Sequence, residues 1–268
     1  MTDRPPAVAA MIPARTKEID RAWLQHTGRA GIPVEVWRQV RTFKGQLAAP
    51  AAVIRRALSD TATTKQLISD FARKGHVGKA RALSRLKKAF PTALFRTDGD
   101  TVEFRWLEPY DGPIIADPHD PGEMQPCVGV FFAVGGPRTA RSTAFMSVLA
   151  LEAPDHSLGR ILQRSPATDL RAVLYEAAER FLQADSAEVA EHIRAKRTLY
   201  LKGGDGIFLT NAIKSVDASG QRSVYSRPRT WITREAARAD QIPVAVAEHP
   251  DNSVWALIQM MAEKGLAP

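Results

Sequence analysis

Apolar residues recur at helical spacing through the first third of the chain, and alternation replaces that spacing shortly afterwards. Val36, Trp37, Val40 and Phe43 share one face of a helix over 33–44 opened by Pro33 in its first turn, with Arg38, Arg41 and Lys44 off that face. Gly45 predicts a break, and Pro50 the start of a short helix carrying Val53, Ile54, Ala57 and Leu58. Thr63 followed by Gln66 has the form of a capping box, so a third helix is expected with Leu67, Ile68 and Phe71 inward and a stop at Gly75. A fourth helix, Lys79 to Phe90, places Ala80, Leu83, Leu86 and Phe90 on one side and ends at Pro91.

Beyond Pro91 the period becomes two. Ala93 to Thr97 and Asp100 to Trp106 flank Asp98-Gly99, a pair that favours a type I′ hairpin, and Val102, Phe104 and Trp106 fall on one face. Pro109, Pro113, Pro118, Pro121 and Pro126 then punctuate an acidic stretch that reads as a linker. Strands are expected at 128–134 and 142–151 around Gly135-Gly136-Pro137, helices at 156–164 and 168–183 with an extension over 188–196, strands at 198–201, 206–215 and 223–232, and a closing helix at 252–264. The expected class is α+β. A flexible arm (1–32) precedes a helical domain (33–108), a Pro-rich linker (109–126) and a separate mixed α+β domain (127–268).

Charge sharpens this division. Residues 1–96 hold 19 Lys and Arg against 6 Asp and Glu, a net of +13, whereas residues 97–268 hold 18 against 23, a net of −5. A positive surplus confined to one end marks a surface for a polyanion, and nucleic acid is the expected partner. Hydrophobic content of 44% is enough for a real core. The lone Cys127 excludes an internal disulfide and a multi-cysteine zinc site, in keeping with a reducing cytoplasm. Neither a secretory signal nor an apolar run long enough to cross a bilayer is found, so no membrane partner is expected.

From Phe71 to Thr97 there are eight cations, Arg73, Lys74, Lys79, Arg81, Arg85, Lys87, Lys88 and Arg96, and no acid. Arg81, Ser84, Arg85 and Lys88 form a stripe opposite the apolar row of their helix, suited to guanine edges and phosphates in a major groove. Helices followed by a hairpin, the last helix being the most basic, resemble a winged-helix DNA-binding domain over roughly residues 48–108. The resemblance implies a wing. Asp98 and Asp100 make its tip repulsive to phosphate, so its contacts are expected from Arg96 and Arg105 along the strands. The same surface also suits RNA or an acidic protein face.

Candidate chemistry in the second half centres on His156, Arg160 and Arg164, spaced by four on one helix face. An imidazole base beside two guanidinium groups suits phosphodiester cleavage, and the pattern is similar to that of small ribonuclease-like toxins. The alternative is an amphipathic helix with a cationic edge, and Asp155 either orients His156 or caps the helix. Tyr225, Arg227, Arg229 and Trp231 alternate onto one face of a strand, as a base-stacking strip or as cation–π packing. Asp117, His119, Asp120 and Glu123 match no metal-site spacing, and Gly203-Gly204-Asp205-Gly206 reads as a hairpin turn, so no metal or cofactor is expected. The leading expectation is a cytoplasmic, bacterial, duplex-DNA-binding protein whose second domain senses, docks or forms a homodimer. The alternative is a nuclease built on His156.

Overall fold

In the computed structural model, which describes residues 31–73, 76–113, 124–139, 142–216 and 222–263, the apolar stripe of the first helix runs through both expected breaks. Helix α1 is continuous over Val34–Ser59 with Pro50 inside it. Its buried residues Trp37, Val40, Leu47, Ala51 and Ile54 recur at spacings that keep one side facing inward, and Lys44 lies in line with them rather than off the face. An interior proline costs about 3 kcal/mol. Burying Leu47 and Ile54, on either side of Pro50, returns about 1.5–3 kcal/mol each, so the continuous stripe prevails over the local signal. Gly45 faces open space and interrupts nothing.

Helices α2 (Thr61–Arg73) and α3 (His76–Ala89) follow, then the hairpin β1 (Leu94–Asp98) and β2 (Thr101–Pro113). The cap of α2 is Asp60, whose carboxylate accepts from the Thr63 amide at 3.1 Å, while Gln66 turns to Asp70, so the expected Thr63–Gln66 box is not the one used. The contacts with Thr63 hold the Asp60 carboxyl below its ordinary range. The hairpin turn is Gly99-Asp100, one residue later than expected, with Gly99 at φ +53°. Val102, Phe104 and Trp106 pack with Ile54, Ile68, Phe71, Leu86 and Phe90 as expected, forming a core between three helices and the hairpin.

Both described ends of the expected linker are strand, and 114–123, with Pro118 and Pro121, lie outside the described residues. Residues 109–113 complete β2, 124–126 open β3 (Met124–Thr139), and the two pair along their length from Val102↔Gly135 to Pro113↔Met124. The prolines fit because of parity. A two-residue turn makes Asp98 and Thr101 a hydrogen-bonded pair, so odd-numbered residues of β2 direct their N–H toward β1. Pro109 and Pro113 therefore lack a donor only where β1 has already ended, and Pro126 lacks one beyond the end of β4. Gly135, Gly136 and Pro137, expected as a turn, also pair within the ladder.

One seven-stranded sheet of order β1-β2-β3-β4-β7-β6-β5 results, so no boundary at 109–126 separates the hairpin from the rest. Its remaining strands are β4 (Ser142–Pro154), β5 (Leu199–Gly203), β6 (Gly206–Val216) and β7 (Arg222–Thr233). Helices α4 (Asp155–Arg164), α5 (Leu170–Gln183), α6 (Ser186–Arg194) and α7 (Val254–Glu263) complete an α+β fold, near the ranges that periodicity predicts. Residues 188–196 do not extend α5, because the chain turns extended at Ala184 and Asp185 caps α6 through the amides of Ala187 and Glu188. A second core joins Trp37, Val40 and Leu47 of α1 to Leu158 and Ile161 of α4, Leu174 and Phe181 of α5, and Phe208 and Trp231 of the sheet. Among the described residues no helix is long and apolar enough to cross a membrane.

At Gly206 a Cβ would lie 2.3 Å from the Ile232 carbonyl oxygen and 2.3 Å from the buried Trp231 ring. Gly206→Ala is expected to destabilise the fold at the upper end of the about 1–3 kcal/mol seen for overpacked cores, read as a lower urea midpoint with an unchanged m-value.

Candidate functional site

Helix α3 presents the basic stripe as expected. Arg81, Ser84, Arg85 and Lys88 are exposed, as is Lys87, while Ala82, Leu86 and the following Phe90 are buried beneath them. Arg81, Lys87 and Lys88 form no ion pair with a described residue, and Arg85 reaches Asp70 at 3.4 Å. Lys79 is held differently. Its ammonium contacts Asp100, donates to the Gly99 carbonyl at 3.0 Å and lies over the Phe71 ring, so it offsets one of the two carboxylates of the hairpin tip. Arg73 ends α2 and Lys74 follows it; the side chain of the first and the whole of the second lie outside the described residues, as do Asp117, His119, Asp120 and Glu123.

The expected wing contacts lie on the wrong side. Cross-strand partners share a sheet face, and Phe95↔Phe104 faces the helices whereas Arg96↔Glu103 and Leu94↔Arg105 face the other way. Arg105 is a packing residue there. It pairs with Glu179 of α5 at 2.8 Å and lies over the Phe132 and Tyr175 rings. Arg96 and Arg105 therefore cannot join the α3 stripe on one surface, because alternation along a strand sends them through the opposite face.

The His156, Arg160 and Arg164 ridge faces strand β7. Strands β4 and β7 run parallel but share a single backbone bridge, Leu151↔Ser226, and β4 gives way to α4 at Asp155. Carbonyls of β7 beyond that bridge receive side chains of α4 instead: Ser157 donates to Pro228 at 3.1 Å, His156 Nε2 to Arg229, and Arg164 to Trp231. Arg160 donates to Gln163 at 2.8 Å. Asp155 accepts both contacts of Lys44 from α1, at 2.9 and 3.0 Å, which fixes α4 against α1. The residues that resemble a phosphodiester-cleaving set thus hold a helix against a shortened ladder.

The Tyr225 to Trp231 strip is not a continuous exposed surface. Tyr225, Arg227 and Trp231 are buried and Trp231 donates to the Gly203 carbonyl. Arg229 is the extra residue of a bulge between Leu209↔Thr230 and Thr210↔Pro228, which breaks the alternation. Sequence patterning missed what these residues do. Arg227 donates to Glu152 of β4 at 2.9 Å, with Glu152 only 1% exposed, and the Cys127 thiol and Tyr225 hydroxyl also bond that carboxylate. Gly112 makes room, since a Cβ there would lie 1.8 Å from Glu152 Oε1. An acid flanked by apolar residues in Leu151-Glu152-Ala153 was the only signal available. Burial first and the Glu152 charge second push the Cys127 thiol from its ordinary 9.0 up to about 12 and raise the Tyr110 and Tyr225 phenols as well. A thiol so placed is protonated at neutral pH and is no nucleophile.

No family model, curated protein or solved structure matches the chain. Function is therefore read from this geometry alone.

Two outcomes follow from the buried cluster. Arg227→Ala, which leaves the Glu152 charge buried without its partner, is expected to cost about 3–5 kcal/mol by denaturant titration. The Cys127 group has a folded pKa above its unfolded value, so its stabilisation is complete below pH 9.0 and is lost as pH rises toward about 12. The urea midpoint should fall across that window, and Cys127→Ala should flatten the fall; equal slopes would exclude the thiol as a contributor.

Proposed function

We propose that the chain binds nucleic acid, duplex DNA in preference to RNA, through the exposed face of α3, as a winged-helix-like protein of the bacterial cytoplasm. The observation that carries this reading is the combination on one helix of a buried apolar row and an exposed stripe of Arg81, Ser84, Arg85 and Lys88, with Lys87 beside it. A stripe rooted in a packed core is presented rigidly, and the cations without internal partners are available to phosphates. The major groove of B-DNA, about 12 Å wide, admits a helix, whereas that of A-form RNA is too deep and narrow for side chains to read. The order of three helices and a hairpin also supports the reading. Arg96 and Arg105 play no part in it, and the hairpin tip is made tolerable by the contact of Lys79 with Asp100. Nothing in the placement of His156 favours cleavage.

Fluorescence anisotropy with labelled duplex DNA, titrated over salt, tests the proposal. The parent should bind at low salt with a steep log–log salt dependence, and Arg81→Ala, Arg85→Ala and Lys88→Ala together should lower that slope by about 3, one for each phosphate contact removed. Unchanged affinity and slope in the triple variant, or no affinity in the parent, would end this reading. Tighter binding of single- or double-stranded RNA would redirect it.

A further inference from the structure

On the sheet face away from α3, a groove of about 560 Å³ lies between the strands β1 to β3 and the elements α5 and α7. A narrower hollow of about 200 Å³ continues from it along the hairpin, and both are lined by Arg96, Glu103, Phe132 and Glu179. The larger volume is within the range of about 300–1,000 Å³ that small-molecule sites occupy. Phe132 of β3, Leu182 of α5, Trp255 of α7 and Val246, which bridges to Ala184, supply apolar walls.

The charges in the groove are unusual in what they do not do. Glu179 is taken by Arg105 at 2.8 Å. Arg96 and Glu103 are direct cross-strand partners on the same face, a placement that normally brings opposite charges together. Yet they form no ion pair with each other or with any described residue, and neither does Asp251 on the far wall. The groove thus offers one available guanidinium, two available carboxylates and an aromatic-lined interior. A polyphosphate or nucleotide would meet one cation and two repelling acids. A molecule carrying both an anionic and a cationic end matches the set, its carboxylate on Arg96 and its ammonium on Glu103 or Asp251.

We propose that this groove is a binding site for a small zwitterion of the α-amino-acid type, a free amino acid or dipeptide with a bulky apolar side chain seated between Phe132 and Trp255. The site is independent of the nucleic-acid surface, which lies on the other face of the same hairpin.

Isothermal titration calorimetry of the full chain with L-leucine, L-phenylalanine, L-tryptophan and the dipeptide leucyl-phenylalanine tests it, each compared with its C-terminal amide and its N-acetyl form. At least one zwitterion should bind, about tenfold or more tighter than its amide or its N-acetyl form, since a charge-assisted hydrogen bond contributes about 1.5–3 kcal/mol. Arg96→Ala should abolish the preference for the acid over the amide, and Glu103→Gln should reduce the preference for the free amine. The proposal is overturned by absence of binding for every zwitterion, or by a preference for the free acid that survives intact in Arg96→Ala. Because the amide and N-acetyl comparisons are made on the parent chain, absence of zwitterion binding there overturns the proposal whether or not the variants fold.

Discussion

Two antiparallel meanders, β1 to β4 and β5 to β7, meet along a parallel seam at which the backbone contributes a single bridge, Leu151↔Ser226. The rest of the sheet depends on that seam, and side chains make it. Ser226 donates to the Ala150 carbonyl at 3.0 Å, Arg227 pairs with Glu152 at 2.9 Å, and Ser157, His156 and Arg164 donate to the Pro228, Arg229 and Trp231 carbonyls of β7 beyond the bridge. An unsatisfied buried polar group costs about 1–3 kcal/mol, which the Pro228 carbonyl would incur without Ser157. Helix α4 therefore acts as the continuation of β4, and the salt bridge of its Asp155 to Lys44 carries the same seam across to α1.

The second organising member is β2. Its thirteen residues place Phe104 and Trp106 against the helices on one face and Arg105 against α5 on the other, because successive side chains of an extended chain point to opposite sides. The stack of Phe90, Phe104, Trp106 and Phe131 rings fixes the first face, with centroids 4.6–5.8 Å apart. The basic stripe of α3 and the zwitterion groove are consequently back to back, separated by one layer of strands. A ligand seated against Glu103 touches the same strand whose next residue, Phe104, supports α3. Coupling between the two would need only a shift of the hairpin, with no contact between the ligands.

Local pattern revealed most of the elements and the identity of the hairpin core. Val102, Phe104 and Trp106 alternate cleanly and Leu86 and Phe90 recur at helical spacing, because each set faces one continuous core, whereas Ala80, expected inward, is exposed and Ala82 is buried instead. What stayed hidden was decided by partners distant in sequence. Pro50 reads as a helix start and is helix interior because Leu47 and Ile54 are buried on either side of it. Pro109 and Pro113 read as linker and belong to a strand because their missing donors face an unpaired edge, and that depends on where β1 ends. Charge and order alone place Arg96 and Arg105 with the α3 surface, whereas the register of a single pair, Phe95↔Phe104, sends them to the opposite face.

The same distinction separates the two cationic ridges, which look alike as sequence. Arg160 and Arg164 follow His156 at helical spacing just as Arg85 and Lys88 follow Arg81. Both ridges carry donors suited to anionic oxygen. The α4 ridge lies beside a strand whose carbonyls lost their ladder partner, and Ser157, His156 and Arg164 close on those oxygens. The α3 ridge lies on the solvent side of its helix, opposite the buried Ala82 and Leu86, and of its cations only Arg85 meets a described carboxylate, at 3.4 Å. A cation's role is thus set less by the spacing on its helix than by what its ridge faces, strand carbonyls for α4 and solvent for α3. Where a ridge faces solvent, as Arg81 and Lys88 do, the charge is left without an internal partner among the described residues.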